Sequence, residues 1–248
     1  KINHKAISKS SVEGAGFINI FINKNYISDE VEKVLKYNEE WGKKKLKKER
    51  VLVEFVSSNP TGPLHIGHAR GAVLGNIISN LLSNQGYEVT KEYYVNDAGR
   101  QINILALSIM LETFQNNINK EGLYQGDYIK DLAKKFMAAK LVNEVNNPLE
   151  KFSDDPDERI DQLISHYKKD SPETWNLIRD FSVNEMIKLI KDDLSRMEIL
   201  HDEWFYESSL GSIEKKDSSV AKALGEIVKS KNTFEKDGAI WFEGTKYG

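Results

Sequence analysis

Apolar and polar positions alternate most clearly in residues 16–22 (GFINIFI), where Ile18, Ile20 and Ile22 share one face and predict a strand. Asn23, Lys24 and Asn25 supply a turn. Ser28 or Asp29 can then cap a helix running to about Trp41, with Val31, Val34 and Leu35 on its apolar stripe. Residues 51–56 (VLVEFV) predict a second strand, apolar on both faces apart from Glu54, as buried strands of parallel sheets are. Ser57 to Pro63 (SSNPTGP) is dense in turn formers, and beyond it the period changes. Ile66, Val73, Leu74, Ile77, Ile78, Leu81 and Leu82 recur at helical spacing, predicting a helix over 66–84 that Gly86 closes in a left-handed conformation. Tyr87 to Val95 then predicts a third strand. Strand, helix and strand in this order form a βαβ unit, the building block of a doubly wound parallel sheet.

From 101 to about 199 the pattern is almost wholly helical, interrupted at Pro148 and at Ser153-Asp154-Asp155-Pro156. Ser171-Pro172-Glu173 is a helix start with proline at the first helical position, and Trp175, Ile178, Phe181, Leu189 and Ile190 line one side. From residue 200 the chain returns to short strand-like pieces, notably Ala239 to Phe242 after the turn Lys236-Asp237-Gly238. There is no internal repeat.

Composition changes this picture little. A chain of 248 residues, 40% hydrophobic and 29% charged, can bury a sizeable core. No run approaches the roughly 20 apolar residues of a membrane span, and no signal-like stretch is visible near the start, so a cytoplasmic protein is expected. The absence of cysteine excludes disulfides and thiolate zinc sites within the chain. The chain opens at Lys1 without a methionine and stops at Gly248 just after an apparent strand, as a fragment would. Charge is uneven: residues 42–50 (GKKKLKKER) carry net +5 within a chain of net −3. Such a cluster is either a solvated linker or a phosphate-contacting patch, with Lys43, Lys44, Lys45, Lys47 and Lys48 as the contacts.

Chemistry concentrates in Ser58 to His68 (SNPTGPLHIGH), where a strand feeds a helix and ligands of open α/β sheets bind. His65 and His68 lie three apart on the first helical turn and therefore on one side. With the amides of the helix N-terminus they form a place for phosphate oxygens. Gly67, Gly71 and Gly75 recur every four residues; close packing of helix on sheet accounts best for Gly71 and Gly75. Glu54 is the only charge in its strand, and a buried carboxylate is costly without a partner. A planar guanidinium would match it bidentately. Asn96-Asp97-Ala98-Gly99-Arg100-Gln101 ends the following strand at the same sheet edge; no chemical step can be assigned to it.

His65-Ile66-Gly67-His68 is the HIGH tetrad of class I aminoacyl-tRNA synthetases. Its flanks, Val53 to Asn76 (VEFVSSNPTGPLHIGHARGAVLGN) and Tyr93 to Ile102 (YYVNDAGRQI), resemble the arginyl-tRNA synthetase family specifically. The resemblance extends loosely to DGAIWF near the end. It implies an α/β, Rossmann-type catalytic domain over 51–248 with a helical insertion at 101–199. Residues 1–41 would be the end of a small α+β, tRNA-contacting N-terminal domain, and 42–50 a basic linker. It also implies that L-arginine is activated by ATP with Mg2+ to arginyl-adenylate and transferred to the 3′ end of tRNA(Arg), by a monomer with no prosthetic group, no protein-held metal and no membrane partner.

By the same resemblance, His65 and His68 contact the ATP phosphates and act catalytically, Gly67 admits the adenine, and Glu54, Ser57 and Asn59 hold arginine. The family's lysine-containing loop and its anticodon-binding domain have no counterpart within these 248 residues. Two other readings remain open: another class I synthetase, for which the carboxylate of Glu54 would have no use, and a non-catalytic tRNA-binding module, which would not need the histidine pair.

Overall fold

A computed structural model describes residues 3–114, 118–139, 145, 152–236 and 238–247. Lys1, Pro148, Asp237 and Gly248, which figure in the sequence pattern, lie outside the described residues. The chain divides into two compact units.

The first unit comprises residues 1–50 and 80–88. Strands β1 (Ile7–Glu13) and β2 (Phe17–Ile22) form an antiparallel hairpin, and α1 (Lys24–Tyr37) follows directly. The hairpin's first strand, ISKSSVE, is invisible to hydrophobic patterning because it does not alternate. Asn23, rather than Ser28 or Asp29, caps α1: its side chain accepts the N–H of Asn25 at 3.0 Å, so the helix begins earlier than predicted and ends at Tyr37. Ile18 is 58% exposed and Leu35 77%, so the apolar stripes of β2 and α1 are correctly located but uncovered among the described residues.

The basic stretch is pinned within this unit. Lys44 N–H donates to the Asn84 carbonyl (2.8 Å), Lys47 N–H to that of Gly86 (2.6 Å), and Glu88 N–H to that of Glu49 (3.1 Å). Gly86, at φ +87°, brings its α-carbon so close to the Lys45 carbonyl that a Cβ would lie 2.2 Å from that oxygen. Lys47 Nζ sits 3.7 Å from the Tyr87 ring centroid, and Lys43 pairs with Glu40 at 2.6 Å. Two of the five lysines are therefore engaged within the protein.

The second unit contains residues 51–79 and 89–248. Strand β3 (Arg50–Glu54), helix α2 (Ile66–Asn84) and strand β4 (Glu88–Val95) realise the predicted βαβ unit, and β5 (Glu203–Tyr206) pairs in parallel with β4. The parallel sheet has the order β3-β4-β5. Between β4 and β5 come four helices: α3 (Arg100–Thr113), α4 (Asp127–Ala138), α5 (Pro156–Asp170) and α6 (Pro172–Arg196). They build their own core around Leu105, Ile109, Phe136, Leu163, Tyr167 and Trp175. The Ser153–Pro156 break is a helix start, with the Asp155 side chain accepting Glu158 N–H at 2.9 Å. Residues 211–247, expected to be strand-like, instead hold helix α7 (Ser219–Lys229) before the hairpin of β6 (Thr233–Lys236) and β7 (Ala239–Phe242).

One face of the parallel sheet packs Val53, Tyr93, Val95 and Trp204 with Phe55, Ala72 of α2, and Val183, Ile187, Ile190 and Leu194 of α6. Behind the end of β3, His201 lies 4.3 Å from the Phe55 ring, its Nε2 3.3 Å from the Phe55 carbonyl, and burial pushes its imidazole down from the usual range. The opposite face carries Leu52, Glu54, Glu92, Tyr94, Glu203 and Phe205. Leu52 there is 56% exposed and Glu54 is exposed, which corrects the expectation of a strand buried on both faces. β3 is an edge strand, covered by helices on the Tyr93 face alone among the described residues.

Helix α2 also inverts expectation. Its buried positions are Ala72, Gly75 and Ser79, whereas Val73, Leu74, Ile77, Ile78 and Leu81 are exposed. Small residues let the helix lie close to the sheet: a Cβ on Gly75 would sit 2.2 Å from Phe55 Cγ. Gly71, by contrast, faces open space. Gly75→Ala is therefore expected to lose about 1–3 kcal/mol of unfolding free energy through overpacking, and Gly71→Ala to gain up to about 1 kcal/mol from helix propensity. Denaturant melts of the two variants check this pair, and equal effects would contradict the packing difference.

Candidate active site

The site is built on a turn that the neighbouring strand holds in place. After β3 the chain adopts positive φ at two consecutive non-glycine residues, Val56 (+68°) and Ser57 (+41°). Such conformations cost on the order of 1–3 kcal/mol each and persist only where the surroundings enforce them. Phe55 N–H donates to the Glu92 carbonyl at 3.3 Å, and Tyr94 N–H to Ser57 Oγ at 3.0 Å. The Tyr93 hydroxyl, in a residue only 1% exposed, lies 2.7 Å from Ser58 Oγ and donates to the Ser58 carbonyl at 2.9 Å. Burial pushes this phenol above its usual range, so it remains a neutral donor.

Beyond the turn, His65 and His68 stack with ring centroids 3.8 Å apart and planes 24° from parallel. His65 N–H donates to His68 Nδ1 (3.3 Å) and Gly67 N–H to His65 Nδ1 (3.1 Å). Both Nδ1 atoms are thus acceptors, which assigns each ring to the neutral tautomer carrying its proton on Nε2. The His68 imidazole is held below its usual range, chiefly by burial. The pair is therefore two neutral N–H donors. It also takes up two N–H groups at the start of α2, including that of Gly67, that sequence alone leaves open for a ligand. The space above Gly67 is used by the protein as well: a Cβ there would lie 3.0 Å from His65 Cε1.

Ser57, Ser58, Asn59, Thr61, Gly62, His65 and His68, with Tyr124 and Tyr128 from the insertion, line one cavity of about 540 Å³. Tyr128 reaches it from α4, where its hydroxyl donates to the Thr61 carbonyl (3.1 Å) and burial pushes its phenol up to about 12. Four of the expected site residues thus converge: Ser57, Asn59, His65 and His68. Because Ser57 Oγ already accepts from Tyr94, its own proton is left to donate. Glu54 does not line this cavity. It shares the partly uncovered sheet face with Glu92 and Glu203, and the carboxyl of Glu92 is raised first by burial and then by the charges of Glu203 and Glu54. The carboxylate singled out as a lone buried acid is thus an exposed member of an acidic face.

The segment Asn96–Gln101, to which sequence assigned no chemical step, is a set of tethers. Asp97 accepts Ser208 N–H (2.8 Å) and the Ser208 hydroxyl (2.5 Å), while its carbonyl accepts from Arg179 of α6 (2.9 Å). Arg100 pairs with Asp157 and Asp161 of α5, both at 2.9 Å. Asn59 Nδ2 donates to Gln101 Oε1 at 2.6 Å. Partners so distant along the chain cannot be read from local pattern; the one available signal was the density of polar residues at the end of an apolar strand.

Comparison with known proteins agrees with this architecture. Residues 30–233 match the model of the family described as tRNA synthetases class I (R), catalytic domain. An arginine–tRNA ligase of Vesicomyosocius okutanii subsp. Calyptogena okutanii (strain HA) is 37% identical over 98% of this chain, and the chain spans 43% of that relative. A solved structure from Campylobacter jejuni, described as an arginyl tRNA synthetase, superposes with a TM-score of 0.67 at 31% identity, covering 92% of this chain and 45% of that one. The Thermus thermophilus arginyl-tRNA synthetase shares the fold, with a TM-score of 0.56 at 20% identity over all of this chain and 37% of its own. The match over most of the chain, in a parallel sheet with the HIGH tetrad at a strand-to-helix turn, means that the chain belongs to the class I tRNA synthetase (R) family, as part of its catalytic domain.

Proposed function

We propose that this chain supplies the histidine-bearing part of an active site that joins L-arginine to ATP, as arginyl-adenylate, and passes the arginyl group to the 3′ end of tRNA(Arg). The chain spans about two-fifths of the length of the curated relatives it matches, so the complete reaction is assigned to a longer polypeptide. The observation that carries this reading is the convergence of Ser57, Asn59, His65 and His68 on one cavity at the C-terminal ends of parallel strands.

In the first step the arginine carboxylate attacks the α-phosphorus of Mg-ATP and pyrophosphate leaves. Negative charge accumulates on phosphate oxygens, and donors already aimed at that charge lower the barrier without reorganisation. The two Nε2–H groups of His65 and His68 suit this role because, being neutral, they need not be deprotonated or desolvated as ions. Ser57 can donate to the carboxylate of arginine, and Asn59 is placed beside the amino-acid end. The guanidinium then extends back across the turn toward Glu54 at the end of β3. The company of Glu92 and Glu203 favours a cationic side chain over a neutral one. In the second step the terminal ribose hydroxyl of the tRNA takes the arginyl group and AMP leaves.

His65→Ala or His68→Ala in the full-length protein is expected to slow arginine-dependent ATP–pyrophosphate exchange, measured with tRNA present, by about 10²–10³-fold. Wild-type exchange in both variants would remove the assignment. Glu54→Gln is expected to raise the KM for arginine at least about tenfold, equivalent to ~1.4 kcal/mol, with the KM for ATP unchanged. An unaltered arginine KM would place the guanidinium elsewhere.

The basic stretch fits a supporting role on the tRNA backbone. With Lys43 on Glu40 and Lys47 on Tyr87, that role falls to Lys44, Lys45 and Lys48. Replacing these three by alanine is expected to flatten the dependence of log K for tRNA on log salt by about one for each phosphate no longer neutralised. A salt titration with an unchanged slope would return the stretch to a linker.

A further inference from the structure

We infer that His201 is a positioning residue for the turn that carries Ser57 and Asn59, acting through the backbone of Phe55. In a parallel ladder, a residue that donates to one position of the neighbouring strand accepts from the position two further on. Phe55 N–H donates to the Glu92 carbonyl at 3.3 Å, so the regular donor to the Phe55 carbonyl is Tyr94 N–H. That N–H goes to Ser57 Oγ instead, at 3.0 Å. The turn therefore takes a ladder donor for the side chain of Ser57 and leaves behind a carbonyl in a residue only 8% exposed. A buried carbonyl without a donor is costly. His201 Nε2, 3.3 Å from that oxygen, takes the place of Tyr94. A carbonyl oxygen can only accept, so the proton of the imidazole is on Nε2.

Packing alone gives no reason for an imidazole here. The ring lies among those of Phe55, Tyr93 and Trp204, at centroid distances of 4.3, 5.4 and 5.6 Å, where a phenyl ring would bring no polar atoms to bury. Its Nδ1 is buried with no hydrogen-bond partner among the described residues, which is itself a cost. What the imidazole adds is the one donor at Phe55. The backbone around it is fixed on both sides, as a brace requires. Ile199 N–H donates to the Leu194 carbonyl at 3.0 Å, and Asp202 N–H to that of Lys91 at 2.8 Å. The Asp202 carboxylate accepts Lys91 N–H in return, also at 2.8 Å. His201 thus ties the end of β3 to the start of β5 and holds the turn in place without lining the cavity itself.

This inference rests on the proposed role of Ser57 in receiving the arginine carboxylate, and the test separates the two. In the full-length protein, KM for arginine and for ATP are measured by pyrophosphate exchange, with tRNA present, for Ser57→Ala, His201→Phe, His201→Gln and the double variant Ser57→Ala with His201→Phe. His201→Phe keeps a ring in place and removes the donor. With the Phe55 carbonyl unpaired, fewer molecules hold the turn in its binding form, and apparent affinity falls by that fraction. The arginine KM is expected to rise about tenfold, with the ATP KM unchanged. His201→Gln brings an amide N–H to nearly the same place and is expected to keep the arginine KM within about threefold of the parent. In the Ser57→Ala background Tyr94 N–H is released to the Phe55 carbonyl, so adding His201→Phe should raise the arginine KM no further. Loss of packing would instead multiply the two effects. If Ser57→Ala raises the arginine KM while His201→Phe does not, the inference is overturned and the role of Ser57 survives. Multiplied effects in the double variant, or an equal rise in the ATP KM of His201→Phe, would also overturn it, as general damage around the ring. An unchanged arginine KM in Ser57→Ala would overturn the role of Ser57 itself and the inference with it.

Discussion

The architecture of the site depends on the turn at Val56 and Ser57, where two residues that ordinarily avoid positive φ adopt it in succession. A β-branched residue such as Val56 is strongly disfavoured there. What enforces the turn is β4, through the Phe55–Glu92 backbone bond, the Tyr94 N–H on Ser57 Oγ and the buried Tyr93 hydroxyl at Ser58. Without the turn, β3 would continue in extended conformation and carry Asn59 away from α2. With it, the chain doubles back so that four site residues face one space. Local strain at the end of β3 is thus offset by hydrogen bonds supplied by the adjacent strand.

The close seat of α2 is the second requirement. A helix that presented Leu or Ile to the sheet would stand farther off, since interaxial distance follows the size of the side chains at the contact. Ala72, Gly75 and Ser79 allow the Phe55 ring to fill the contact directly, and this brings the first turn of α2 over the end of β3. The histidine pair then reaches the cavity as neutral donors that are braced by the helix's own first amides. Those amides serve as supports for the rings, so under the proposed function the donors offered to phosphate are the Nε2–H groups rather than the helix N-terminus itself.

The parts legible in sequence were those governed by local rules. The limits of α2, the left-handed Gly86, the βαβ order and the clustering of Ser57, Asn59, His65 and His68 around one cavity all follow from period, turn chemistry and a specific motif. Burial is misjudged where it depends on what lies on the other side. Glu54 reads as a lone charge in an apolar strand, yet it sits among Glu92 and Glu203 on a face whose covering no local pattern reports. The apolar stripe of α2 looks like its buried side because large apolar residues usually are buried; here the small ones are buried instead. The tethers of Asn96–Gln101 are illegible for a related reason: their partners are tens of residues distant, and polar side chains carry no periodicity that would point to them.

The proposed function asks one region of the protein to accept opposite ions, and charge is distributed on two sides of the turn. A triphosphate requires donors, and a guanidinium requires carboxylates. Mixed in one space, those protein groups would pair with each other rather than with ligands, because opposite charges brought together with little water between them attract strongly. The structure keeps them apart: neutral imidazole and hydroxyl donors line the cavity, while Glu54, Glu92 and Glu203 lie on the sheet face on the far side of the turn. Under the proposed function arginine, carrying a carboxylate at one end and a guanidinium at the other, is the ligand asked to meet both regions, and the strained turn lies between them.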